Sequence, residues 1–401
     1  MKYNFDEIID RRNTNAMNLE GFREYIFHAD QSLKFPFPDD QFIRMWIADM
    51  EFATPQVIID AVKDRLDKRI FGYTKVFDPE YYEAFAGWTQ KMYSWSCKKE
   101  HLFTAAGVVP ALYELAEYVC KPGEKILTLT PAYSYFKHAA DYHGIELVCS
   151  NLINRDNYYT IDFEDLEAKA ADPAVKLLFF CNPHNPSGRI WTEEELRRVA
   201  EICFDHGVLI VSDEIHCDLI RTGLKHTPLA KLYPDSDQII TCMAPSKTFN
   251  MAGFMLANIV IPNLKVMKVW KERHYDWQNP LSVEAVKAAY QYGEDWLTQL
   301  KLYLDENFRF VGQYLAQNLP LAKYRISEAT YLGWVDVSAY VSPDEDLPML
   351  FAREAGVLLE GGDMFVTNSD GFIRLNLACP KSILEEGLRR ICKLLAERAA
   401  A

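Results

Sequence analysis

Three apolar runs, each closing on a polar residue, constrain this chain more than anything else in it. Lys176-Leu177-Leu178-Phe179-Phe180-Cys181 runs into Asn182-Pro183-His184-Asn185-Pro186-Ser187-Gly188. Gly207 to Ser212 runs into Asp213-Glu214-Ile215-His216, and Gln238 to Met243 runs into a Pro245-Ser246-Lys247 turn. Continuous rather than alternating apolar runs indicate parallel strands covered on both faces. Asn182 and Asp213 lie 31 residues apart (213 − 182), and Asp213 and Lys247 lie 34 apart (247 − 213), each about one strand–helix–strand unit. Ligands of such sheets bind outside the carboxyl ends of the strands. Each residue has a plain reading too: Asn182 as a turn residue, Asp213 as a helix cap, Lys247 as a loop lysine. Arrival at equivalent strand ends favours one pocket, where a lysine amine is partly desolvated, loses pKa and becomes a nucleophile.

The remaining chain fits an α/β frame. The first 45 residues mix aromatics with charges and suggest an extended arm. Helical patterns cover Pro55 to Arg69 and Tyr81 to Tyr93, with Phe71-Gly72-Tyr73 between them. His101 to Gly107 reads as a strand ending in small residues, and Val108 to Cys120 as the helix that follows. A strand, a small-residue turn and a helix start present backbone N–H groups to an anion, although close packing explains such glycines as well. Lys125 to Leu129 is a strand before the turn that carries Tyr133, by default a half-buried core aromatic. Thr192 with Glu195 forms a capping box for a helix to about Phe204. A long helical tract runs from about Ser282 to Gln317, Tyr331 to Val337 is a strand, and Gly361-Gly362-Asp363 a loop. Arg374 sits inside the apolar strand Phe372 to Leu377, a costly position unless it meets an anion. Ile383 to Arg398 closes the chain as a helix.

At 401 residues two domains are expected. A net charge of −14 argues against nucleic acid or an anionic membrane surface as partner. Nine cysteines without C-x-x-C spacing read as reduced thiols of a cytoplasmic protein, and no Cys/His cluster suggests a metal. No signal-peptide pattern opens the chain, and no apolar run is long enough for a transmembrane helix.

Together the 182–188, 212–216 and 245–250 motifs and Phe372-Ile373-Arg374-Leu375-Asn376 resemble fold-type I pyridoxal 5'-phosphate (PLP) enzymes. Within these the chain looks like the MalY/PatB group of cystathionine β-lyases, or C-S lyases, of the class I/II aminotransferase superfamily. Trp46-Ile47-Ala48-Asp49-Met50-Glu51-Phe52 and Phe71-Gly72-Tyr73 match that group's amino-terminal pattern. The resemblance implies an aspartate-aminotransferase-like α/β fold: an arm (1–50), a large domain with a mostly parallel seven-stranded sheet (51–280) and a smaller α/β domain (281–401).

It also implies roles. Lys247 would carry the cofactor and act as base, Asp213 would pair with the ring nitrogen, and Asn182 would bond the ring's phenolic oxygen. Tyr133 would stack on the ring and serve catalysis. Gly107, Val108 and Ser246 would hold the phosphate, and His216 would either lie against the cofactor or merely fill space. Tyr73 would reach the neighbouring subunit's phosphate, making a homodimer with shared sites. Arg374 would clamp the carboxylate of a small amino-acid substrate, with Tyr73 and Asp49 beside it. The chain departs from the aminotransferase pattern at Met255, where those enzymes commonly carry an arginine, and at His216, where they commonly carry a tyrosine. The expected reaction is α,β-elimination of L-cystathionine or L-cysteine-like substrates to thiol, pyruvate and ammonia. Alternatives are an aminotransferase on the same scaffold and a regulatory role through protein contact.

Overall fold

The structure is a computed structural model and describes residues 2–400. Its centre is a seven-stranded sheet: β1 (Leu102–Ala105), β2 (Lys125–Thr130), β3 (Glu146–Asn151), β4 (Val175–Cys181), β5 (Leu209–Asp213), β6 (Ile239–Met243) and β7 (Ala257–Val260). Strand order is β1-β7-β6-β5-β4-β2-β3. The pairs among β2 to β6 are parallel, and β7 runs antiparallel to both β6 and β1. β4, β5 and β6 are buried almost throughout, the reason their sequences are continuously apolar. The register sets Cys181 of β4 beside Asp213 of β5, and Asp213 beside Cys242 of β6. The three polar termini therefore emerge at one edge.

Helix α1 (Val108–Val119) packs its apolar face on the sheet, and α2 (Glu193–Asp205) starts on the expected capping box. The expected tract from Ser282 to Gln317 is two helices, α3 (Pro280–Tyr292) and α4 (Glu294–Asn318). The break falls at Gly293, where a Cβ would lie 2.4 Å from the Phe249 ring. Close packing, not turn chemistry, demands glycine there.

A four-stranded sheet forms from β8 (Lys323–Tyr324), β9 (Leu332–Asp336), β10 (Glu360–Gly361) and β11 (Phe372–Asn376), in the order β8-β9-β11-β10. Helix α5 (Lys381–Ala400) covers it. Gly361, expected in a loop, thus forms an edge strand of this sheet with Glu360, while Gly362–Met364 is a helical turn. The amino-terminal segment is less extended than expected. It holds short helices Met17–Glu20 and Phe22–Phe27, and Ile43–Arg44 pairs in parallel with Val357–Leu358. No described helix is long and apolar enough to cross a membrane.

Candidate active site

A cavity of about 370 Å³ opens at the carboxyl ends of β5 and β6. Asp213, the last residue of β5, lines it together with Ser246 and Lys247 from the helical turn after β6. Gly107 and Val108, at the start of α1, form a further wall. Gly107 has φ +151°, where L side chains are rare, and an added Cβ would lie 3.3 Å from Pro110 Cδ. Tyr133, His216 and Arg374 complete the expected residues that share this cavity.

Three expected residues do not line it. Asn182 is fully buried behind the strand end, its amide donating to the Thr227 carbonyl at 3.2 Å while Oδ1 has no partner among the described residues. Asn185, three residues on, faces the cavity instead. Asp49 accepts from Arg11 Nη1 at 2.7 Å, and its charge still acts on Lys247. Tyr73 is 89% exposed against Trp277, with ring centroids 5.0 Å apart. It lies on the outer surface, outside its own chain's cavity.

Burial sets the electrostatics. The Asp213 carboxyl is pushed up to about 7 by desolvation, although the Ile215 N–H donates to its Oδ1 at 3.1 Å. No ion pair to Asp213 exists among the described residues. The adjacent Glu214 differs, because its carboxylate accepts from Ser212 Oγ at 2.8 Å and the Leu229 N–H at 3.0 Å, with His226 Nε2 2.8 Å away. Desolvation lowers the pKa of Lys247, whose Nζ donates to the Ala48 carbonyl at 2.7 Å. His216 is pushed down to about 3, first by burial and then by Lys247, so its imidazole is neutral near pH 7. Burial also raises Tyr133, which stays a phenol.

The carboxylate side of the site has another character. Arg374 pairs with Glu360 through Nη2, and the two side chains are only 2% and 5% exposed. Arg374 Nη1 donates to Asn185 Oδ1 at 3.2 Å and Nη2 to the Trp46 carbonyl at 3.3 Å, leaving Nε without a partner among the described residues. Asn376 fastens the 46–52 segment beside it, donating to the carbonyls of Ile47 at 2.8 Å and Asp49 at 2.7 Å. Glu360 and Asn185 are the residues that sequence reasoning missed. The signal for Glu360 was present, since a buried strand arginine needs an anion.

The aminotransferase class I and II family matches residues 41–391. The chain belongs to that family. Cystathionine beta-lyase PatB of Bacillus subtilis (strain 168) is 41% identical over 352 residues, covering 86% of this chain and 91% of its own. Protein MalY of Escherichia coli (strain K12) is 29% identical over 391 residues, covering 96% and 97%. Among solved structures, the PLP-bound C-S lyase from Staphylococcus hominis is 47% identical with a TM-score of 0.94, covering 98% of each chain. Cystalysin from Treponema denticola, which contains a PLP cofactor, is 31% identical with a TM-score of 0.91, covering 99% of this chain and 100% of its own. The fold of this family member is therefore the fold-type I α/β architecture, with its mostly parallel seven-stranded sheet.

Proposed function

We propose that the protein is a PLP-dependent C-S lyase that cleaves L-cystathionine or a related L-cysteine thioether to thiol, pyruvate and ammonia. The carrying observation is the buried pair of unlike groups at adjacent strand ends: an unpaired Asp213 carboxylate and a desolvated Lys247 amine on one cavity. A cationic ring nitrogen is what the Asp213 site lacks, and the residues fit such a group. When bound, PLP supplies an electron sink for the carbanion formed at the substrate's Cα.

Asp213 would pair with the ring nitrogen and keep it protonated in a low-dielectric site. The α1 N-terminus at Gly107 and Val108, with Ser246, would hold the phosphate. Tyr133 would cover the ring face, and Asn185, on the cavity wall, is the better placed of the two asparagines to reach the phenolic oxygen. Arg374 lines the cavity and would attract the substrate α-carboxylate. Lys247 Nζ, its pKa lowered by burial, would take the Cα proton, and Lys247 or Tyr133 would return a proton to the departing sulfur. The exposed Tyr73 supports a homodimer in which this residue enters the partner's site. A fully active monomer in sedimentation would count against that.

Incubation with L-cystathionine and no added keto acid should release pyruvate and ammonia in equal amounts. Turnover that needs 2-oxoglutarate and yields stoichiometric glutamate would instead make the protein an aminotransferase.

A further inference from the structure

Four side chains carry formal charge on the cavity wall: Lys247, Asp213, Arg374 and Glu360. This inference rests on the lyase reading, in which Lys247 and Asp213 are committed to the cofactor. Arg374 and Glu360 then remain to face the substrate, and their charges cancel. Glu360 is placed beside Arg374, because β10 and β11 pair antiparallel with the two residues directly opposite. Side chains at such positions share one face with Cβ atoms about 5 Å apart. The substrate α-carboxylate is drawn to Arg374, after which the cluster carries a net negative charge. Met255, also on the wall, adds no cation.

We propose that Glu360 is a specificity-determining residue: its carboxylate cancels the charge of Arg374, so the pocket takes amino acids with uncharged, zwitterionic or cationic side chains and rejects those whose side chain carries a net negative charge. Solvent does not screen a pair this deeply buried, so a second carboxylate meets like charge at low dielectric and finds no cation. L-Cystathionine passes this filter because its distal amino-acid end is neutral overall. Aspartate and glutamate do not.

The test uses the PLP-loaded enzyme and the isosteric pair L-asparagine and L-aspartate, with affinity read from the change in cofactor absorption. In the unsubstituted enzyme L-asparagine should bind at least about tenfold more tightly than L-aspartate, the size expected of a like-charge clash. Glu360→Gln should shrink that ratio by about tenfold, and Glu360→Asp, which keeps the charge, should preserve most of it. Equal binding of the two ligands to the unsubstituted enzyme overturns the inference without any variant. So does a ratio unchanged in Glu360→Gln, or one lost equally in Glu360→Asp. No absorption change with any amino acid would defeat the lyase reading itself, and this inference with it.

Discussion

The two sheets bring opposite kinds of charge to one cavity. At the end of the large sheet, Asp213 is buried with a single backbone donor and no ion pair among the described residues, and Lys247 is buried against a carbonyl. On the small sheet, Arg374 is neutralised in advance by Glu360 and braced by Asn185 and the Trp46 carbonyl. Isolated buried charge is expensive, whereas a paired and hydrogen-bonded one is tolerated. The large sheet therefore presents an incomplete set that a cationic ring can finish. The small sheet presents a complete set that can only sort what arrives. Cofactor chemistry and substrate selection are built on different sheets, by different electrostatic means.

The largest expected effect tests the incomplete half. Asp213→Asn keeps the shape and removes the charge, and should lower kcat by about a thousandfold while cofactor is still bound. Near-normal turnover in a cofactor-loaded Asp213→Asn would erase the distinction between the sheets.

The same substitution should stabilise the cofactor-free protein. The Asp213 carboxyl rises from 3.8 to about 7 on folding, so the folded state holds the proton more tightly than the unfolded chain. Below pH 4 both states are protonated and burial costs nothing in charge. As pH climbs from about 4 to 7 the unfolded carboxyl ionises first, stability falls, and the penalty is complete above 7. Denaturant unfolding at pH 8 should find cofactor-free Asp213→Asn more stable by a few kcal/mol, with the gap closing toward pH 4. A gap independent of pH would mean that Asp213 is not buried as a charge.

The complete half should respond more mildly to a charge-conserving change. Arg374→Lys keeps the pairing with Glu360 but loses the planar fork, so KM should rise about 10- to 100-fold with little change in kcat. An equal fall in kcat would place Arg374 in the chemistry rather than in substrate binding.

Much of the incomplete half was legible in the sequence. Strands buried on both faces read as continuous apolar runs, and their spacing placed Asp213 and Lys247 at neighbouring ends. The Asn182/Asn185 choice was not legible, because both precede proline in one short turn and only side-chain direction separates them. Glu360 was hidden by the glycines after it, which read as loop. Its role depends on the register of β10 against β11, a long-range pairing that no local pattern encodes. Gly293 was invisible for a similar reason, since what requires it is a phenylalanine ring 44 residues earlier (293 − 249). Tyr73 was placed across an interface through resemblance, and its exposure on this chain is compatible with that role.

The central claim is that Lys247, on the cavity wall it shares with Asp213, carries the cofactor. Borohydride reduction of the PLP-loaded protein, followed by proteolysis and mass mapping, tests it directly. A phosphopyridoxyl mass on the peptide containing Lys247, and on no other lysine, is the predicted result. Label at any other lysine, or a reduced protein that carries no label, would contradict it.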